Sequence, residues 1–479
     1  MSSEPGTLQR KLDSRLLNMI AIGGAIGTGI FLASGTAISL SGPGGTLLAY
    51  LVVGLMVYFL MTSLGEMAAF MPTAGSFYIY ASRFVDPALG YALGWNYWYN
   101  WAITVASEIA AASIIMQYWF PNSPPIIWNT AFLLIIFALN ALSVRGFGEV
   151  EYWFSFIKVS VIIIFIAAGI AILFGFTHYQ AGGFKNWTME GAPFHGGWLA
   201  MISAFMIAAY SFQGTELVGV AAGESKDPAE SIPRAVKQIF WRILLFFVLS
   251  IFVISLLIPY TAPQLANSDV TTSPFTLVFH QYGIPYAAAI INAVILTAIL
   301  SAGNSGLFAG TRMLWYLSKK GHVPHIFSRV NAQGIPMAAL LGTTVVAMLT
   351  FLSSLFGNGK VYYWLISASS ISGFIAWLGI AISHYRFRKA YIAQGLDIKK
   401  LPYVAKGYPY APLIAFVLCI LLIGGQNVKA FMEPHIDWMG ILVSYFGLPL
   451  FLTLWLGYKW MKKTKIVPLN ECDFKDMSE

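Results

Sequence analysis

The chain has 479 residues, 58% of them hydrophobic and only 10% charged, with a mean hydropathy of +0.70; a water-soluble domain carries roughly a quarter charged residues, so water is not its main solvent. At about 20 apolar residues per helical crossing, this length holds about twelve spans and leaves no room for a soluble catalytic domain. The net charge of +8 comes without a basic domain or recognition motif for nucleic acid, and two cysteines, Cys419 and Cys472, make neither a disulfide framework nor a CxxC metal site.

In chain order, the first fourteen residues are polar, and the apolar run from Leu16 to Leu40 is too long and too Gly-interrupted for a cleaved signal peptide, so it reads as the first span. Further helices are expected at 45–70, 88–119, 126–144, 153–175, 198–222, 239–260, 286–317, 337–357, 361–386, 408–431 and 438–461. The implied units are an N-terminal segment 1–15, a first five-helix half 16–175, an outer loop 176–197, a second five-helix half 198–386, an inner loop 387–407, two added helices 408–461 and a tail 462–479. With the N-terminus inside, twenty-four of the 28 basic residues fall on the cytoplasmic side and only Lys185, Lys360 and Lys429 outside. The positive-inside rule therefore places both termini in the cytoplasm.

Two helices at matching positions of the halves are interrupted, at Gly23-Gly24-Ala25-Ile26-Gly27-Thr28-Gly29 and at Tyr210-Ser211-Phe212-Gln213-Gly214-Thr215-Glu216. Paired interruptions point to an inverted repeat with a midplane site, whereas each alone also fits close helix packing. Bared N–H groups at Gly27, Thr28 and Gly29 suit a carboxylate. Carbonyl oxygens near Ala25, Ile26, Tyr210, Ser211 and Gln213 suit an ammonium. The pair is a clamp for an α-amino acid.

Ionisable side chains inside a membrane cost about 2.5–3.5 kcal/mol each on insertion scales and call for a reason. The deep ones are Glu108, Lys158 and Glu216, whose surplus of one negative charge is met by a proton or by a cationic substrate, favouring lysine or arginine over a neutral amino acid. A buried helix–helix hydrogen bond competes as the explanation of either carboxylate, snorkelling to the interface as that of Lys158. Asn304 serves either the substrate side chain or helix contacts. Glu66, Glu224, Asp227 and Arg234 sit at inner helix ends, where solvated caps and an inner gate are both open. No P-loop occurs, so an ATP-driven pump is unsupported, and neither enzyme chemistry, cofactor nor metal is expected.

Ala25-Ile26-Gly27-Thr28-Gly29-Ile30-Phe31, Gly65-Glu66-Met67 followed by Pro72-Thr73-Ala74-Gly75-Ser76-Phe77, and Gly223-Glu224-Ser225-Lys226-Asp227-Pro228 followed by Ile232-Pro233-Arg234-Ala235 resemble, in this order and over essentially the whole chain, the amino acid-polyamine-organocation superfamily. Ser211 to Glu216, Leu300 to Gly306 and Gly373 to Ile380 look like its bacterial lysine carriers. The resemblance implies an all-α membrane protein of twelve transmembrane helices. Its fold would be LeuT-like, a 5+5 inverted repeat plus two helices, with helices 1 and 6 unwound. It also implies inward transport of L-lysine with protons across the inner membrane, among lipids and without nucleic acid. Thr28 and Gly29 would receive the substrate carboxylate, carbonyls near Ile26, Tyr210 and Ser211 the amino group. Lys158 would take part in proton coupling, as Glu216 is expected to.

Overall fold

The computed structural model describes residues 12–24, 26–142, 144–176, 181–266, 273–283, 285–432 and 436–474. Helix α1 (Ser14–Gly23) opens on Asp13, whose carboxylate accepts the Leu16 N–H at 2.9 Å. Coiling resumes with a π-turn, Gly29–Ala33, that runs on into α2 (Ser34–Phe70). Inside α2, Gly42 at φ 75° next to Pro43 makes a kink, so the expected spans 16–40 and 45–70 meet at this corner with no loop between them. A helix that the hydropathy did not mark, α3 (Ser76–Phe84), leads into α4 (Pro87–Met116), which Asp86 caps through the Ala88 N–H at 2.9 Å. Then come α5 (Pro125–Asn140) and α6 (Val144–Leu173). The sequence places the start of α6 near 153; its polar first turns belong to the same helix.

The second half holds α7 (Lys185–Thr188), α8 (Gly197–Ser211), α9 (Leu217–Ala221) and α10 (Pro228–Arg242), which continues through a π-run into α11 (Leu249–Leu257). That rod starts at Pro228 and not near 239, because its first turns are amphipathic and fall below an apolar threshold. There follow α12 (Pro263–Ala266), α13 (Pro274–Gln281), α14 (Pro285–Lys319), α15 (Met337–Ala347), α16 (Ser353–Phe356) and α17 (Asn358–Ala393). The chain closes with α18 (Tyr410–Gly425), α19 (Lys429–Met432), α20 (Trp438–Tyr445) and α21 (Gly447–Lys462), the last two meeting at 48°.

Polarity is inverted relative to a soluble helix. On α6, Trp153, Phe156, Ile163 and Ile164 face outward while Glu151, Ser155 and Lys158 are buried. Only a hydrocarbon solvent rewards that arrangement. Among the described residues, seven helices are long and apolar enough to cross a membrane, and the bent pair α20–α21 makes an eighth candidate. The molecule is a multi-pass, all-helical membrane protein. At its centre α4 lies between α14 and α17, 94% of its apolar stretch buried.

Candidate functional site

Helix α1 stops at Gly23, where Gly24 donates its N–H to Ile20 O at 3.0 Å. Ala25 lies outside the described residues. Helix α8 stops at Ser211, and the chain turns through Gly214 at φ 98°, a region closed to most side chains, before α9 begins at Leu217. The two interruptions press on each other. A Cβ added at Gly29 would stand 2.4 Å from Ser211 Cα, and one at Gly24 would stand 2.2 Å from Leu217 Cδ1. Glycine here is what lets two main chains touch.

Between them lies a cavity of about 20 Å³, lined by Gly24, Gly27, Thr28, Gly29, Trp101, Thr104, Glu108, Tyr210, Ser211, Gln213 and Ala302. That is room for about one water molecule. Thr28 Oγ1 donates to Glu108 Oε1 at 3.0 Å and lies 3.1 Å from the Tyr210 hydroxyl, tying the two interrupted segments to α4. The other carboxylate oxygen, Glu108 Oε2, is buried without a hydrogen-bond partner, and so is Trp101 Nε1. Ser211 Oγ donates to Ile207 O and shares a 2.8 Å hydrogen bond with the Tyr50 hydroxyl, while Gln213 Nε2 donates to Ser370 O at 2.8 Å. The Tyr210 carbonyl already accepts the Gln213 N–H at 3.1 Å. Ile26 is buried and does not line the cavity.

Glu216 is turned elsewhere: one carboxylate oxygen accepts the Gly214 N–H at 3.0 Å and the Trp377 indole N–H at 3.1 Å, fastening the turn before α9 to α17. Lys158, fully buried, donates from Nζ to Gly23 O at 2.5 Å, satisfying a carbonyl that α1 leaves open at its end. It does not reach toward an interface. Asn304 also faces away from the cavity: its amide donates to Glu151 Oε1 at 2.5 Å, and its oxygen accepts Asn140 Nδ2 at 2.7 Å. Ser301 Oγ fills Glu151 Oε2 at 2.7 Å.

Glu151 is the residue the sequence reading missed. Placing the start of the helix near 153 left it in a loop. A signal was available in the stripe Glu151, Ser155, Lys158, Ile162, Phe165, Gly169, Ile172, spaced by three and four on one helical face, and all of it is buried.

The four inner-end residues do not converge. Glu66 is buried and doubly bonded to the Arg388 guanidinium, accepts the Ala405 N–H at 2.6 Å and lies 3.4 Å from His384 Nε2. Glu224, also buried, accepts Arg312 Nε at 2.8 Å, and its main-chain oxygen accepts the Leu12 N–H at 3.0 Å. Asp227 is exposed at the start of α10, and exposed Arg234 pairs with Glu230 one turn away at 2.5 Å. The cations Arg312 and Arg388 were legible only as inside-positive charge.

The family described as amino acid permease matches residues 17–471. The chain is 56% identical to a lysine-specific permease of Escherichia coli (strain K12) over 477 residues, 99% of this chain and 98% of that protein. It is 49% identical to a lysine-specific permease of Lactococcus lactis subsp. cremoris (strain MG1363) over 473 residues, 97% of this chain and 92% of that one. A histidine permease of the same Lactococcus strain is 46% identical over 469 residues, 97% and 98% of the two chains. These matches run almost end to end, through both interruptions and both buried ion pairs, and the chain belongs to the amino acid permease family, within the amino acid-polyamine-organocation superfamily.

Proposed function

We propose that this protein is a secondary carrier that imports L-lysine with a proton by alternating access, across a bacterial inner membrane and with both termini cytoplasmic. The observation that carries the reading is Glu108, a buried carboxylate on a cavity between two interrupted helices, with one oxygen unpartnered. An ε-ammonium would satisfy that oxygen by a charge-assisted hydrogen bond. Gly27, Thr28 and Gly29 would receive the substrate carboxylate, and the carbonyls of Ala25, Ile26, Tyr210 and Ser211, with Gln213, its α-ammonium. Glu216, held by Trp377, shapes the turn beside them.

Charge supports a cationic cargo. Around the two interruptions, the described residues include three buried carboxylates, Glu108, Glu151 and Glu216, against one buried ammonium, Lys158, a formal surplus of two negative charges that a lysine cation and one proton would neutralise. The architecture that goes with this reading is twelve spans as a LeuT-like 5+5 repeat, residues 16–175 and 198–386, with two added helices. The kinked run Gly29–Phe70 has 42 residues, a coil of about 63 Å against a hydrocarbon core of about 30 Å, and so counts as two crossings. The interruptions then open each half, as in carriers that bind at the midplane. Lys158, holding the end of α1, is the candidate for coupling that helix to proton uptake, and the pairs Glu66–Arg388 and Glu224–Arg312 are the candidate inner gate.

Two of the relatives are lysine-specific permeases and one is a histidine permease, so histidine is the second reading. The test is uptake of labelled lysine into proteoliposomes with the potential clamped and the pH gradient varied. A cation crossing 100 mV of inside-negative potential gains about 2.3 kcal/mol, so uptake driven by potential alone must be separated from proton-driven uptake. Indifference to the pH gradient defeats proton coupling; competition by histidine stronger than by lysine itself defeats lysine as the substrate.

A further inference from the structure

The buried carboxylate of Glu151 adds to the negative charge around the two interruptions but does not line the cavity between them. We infer that Glu151 is the counter-charge that keeps the Lys158 ammonium protonated, and that it thereby sets the pH range over which the carrier cycles, as a positioning residue acting through Lys158. The inference rests on the proposed coupling through Lys158. Both side chains are fully buried on one face of α6, and they converge on one residue of α1. Gly23 O accepts from Lys158 Nζ at 2.5 Å, and a Cβ added to Gly23 would lie 3.1 Å from Glu151 Oε2.

The hydrogen bonds around Glu151 fit the ionised form. The Asn304 oxygen is occupied by the Asn140 amide, so the Asn304 nitrogen is the atom facing Glu151 Oε1, and Ser301 supplies a donor to Oε2. Both carboxylate oxygens thus have a donor within reach, and such hydrogen bonds favour the ionised form. The groups that face Lys158 from its neighbours are few. From α4 it is Glu108, engaged by Thr28; from α1 it is the Gly23 carbonyl; from α14 the neutral Ser301 and Asn304 stand behind Glu151. At the exposed end of α6, Glu149 is taken up by Arg15 at 2.8 Å. An ammonium buried this completely holds its proton only while an opposite charge compensates it.

The experiment is lysine uptake by the full chain in proteoliposomes, at clamped potential, from pH 5 to 9, for wild type, Glu151→Gln, Glu151→Asp and Lys158→Ala. The alkaline limb of Glu151→Gln is expected at least one pH unit below that of wild type. Glu151→Asp, which keeps the charge but shortens its reach, is expected between the two, and it carries the test if the glutamine variant does not fold. A Glu151→Gln profile that superimposes on wild type, or that falls by the same factor at every pH, overturns the inference. Lys158→Ala separates the readings: an unchanged pH profile in that variant sinks proton coupling through Lys158 altogether. Loss of pH dependence there, with a wild-type profile in Glu151→Gln, sinks only the counter-charge assignment.

Discussion

The contact between the interrupted helices can be tested by adding one methyl group on each side of it. In Gly29→Ala the new Cβ meets Ser211 Cα at 2.4 Å, a main-chain atom that no rotamer change removes. In Gly24→Ala it meets Leu217 Cδ1 at 2.2 Å, the mobile end of a side chain, with the next atom, Gly214 O, at 3.3 Å. Overpacking typically costs about 1–3 kcal/mol, equivalent to a roughly 5- to 150-fold loss of lysine affinity if it falls on the bound geometry. The two sites differ in what relieves them. Leu217→Ala removes the clashing atom, so the Gly24→Ala/Leu217→Ala double variant should be better than the sum of its singles by about 0.5–3 kcal/mol of coupling. Ser211→Gly leaves Cα in place, so Gly29→Ala/Ser211→Gly should gain little. Lysine binding by calorimetry and melting in detergent report both, with Gly359→Ala, which meets nothing within 4 Å, as the neutral control. Additive behaviour in the Gly24 cycle, or full rescue in the Gly29 cycle, would refute the idea that the two interruptions bear directly on each other.

Other perturbations follow from the polar contacts. Arg388→Ala strands the buried Glu66 carboxylate and should lower stability by about 3–5 kcal/mol, whereas Glu66→Gln/Arg388→Gln together should cost less, as thermal melts will show. Trp377→Phe deprives Glu216 of one of its two donors and should cost about 1–3 kcal/mol, read by the same melts. Asp86, at the edge of α4 and outside the spans, feels two opposed effects: burial pushes its carboxyl up, and hydrogen bonds from Lys459, the Ala88 N–H and Thr464 outweigh it, so it rests below the usual carboxylate range. Stability from a depressed carboxyl is present above its unfolded value near pH 4 and lost as pH falls through the folded one. Asp86→Asn should therefore melt earlier than wild type near neutrality and lose less between pH 5 and 3; parallel curves would count against the assignment.

What the sequence could reveal was set by range. Gly24, Gly29 and Gly214 stand out because a missing side chain is a local fact, and the exchange of apolar and polar faces along α6 is legible from composition. The partners of Glu66 and Glu224 were not, because Arg388 and Arg312 lie 322 and 88 residues away and only the packed fold brings them near. Glu151 was lost to a boundary: a threshold on hydropathy starts α6 after its polar turns, while the hydrogen-bond ladder starts it at Val144. Asn304 and Glu216 leave two readings open in the sequence, substrate contact or helix contact, because a polar group in a membrane demands a partner that lies far along the chain; in the packed fold both have protein partners.

A cavity of about 20 Å³ cannot admit lysine, whose roughly ten non-hydrogen atoms need many times the room of one water, so binding requires the walls to part. The glycine contacts decide which walls move together. Gly24 against Leu217 and Gly29 against Ser211 leave no room for a methyl group, which makes this the closest-packed side of the cavity, whereas α4 is tied to Thr28 by the single Glu108 hydrogen bond. The two interrupted helices should therefore shift as one body against α4 and α6, and the bond from Lys158 to Gly23 O crosses the plane of that movement. In the proposed coupling, a proton lost from Lys158 would turn a charged donor into a neutral amine and loosen that crossing, and proton transfer would then have a mechanical consequence at the cavity.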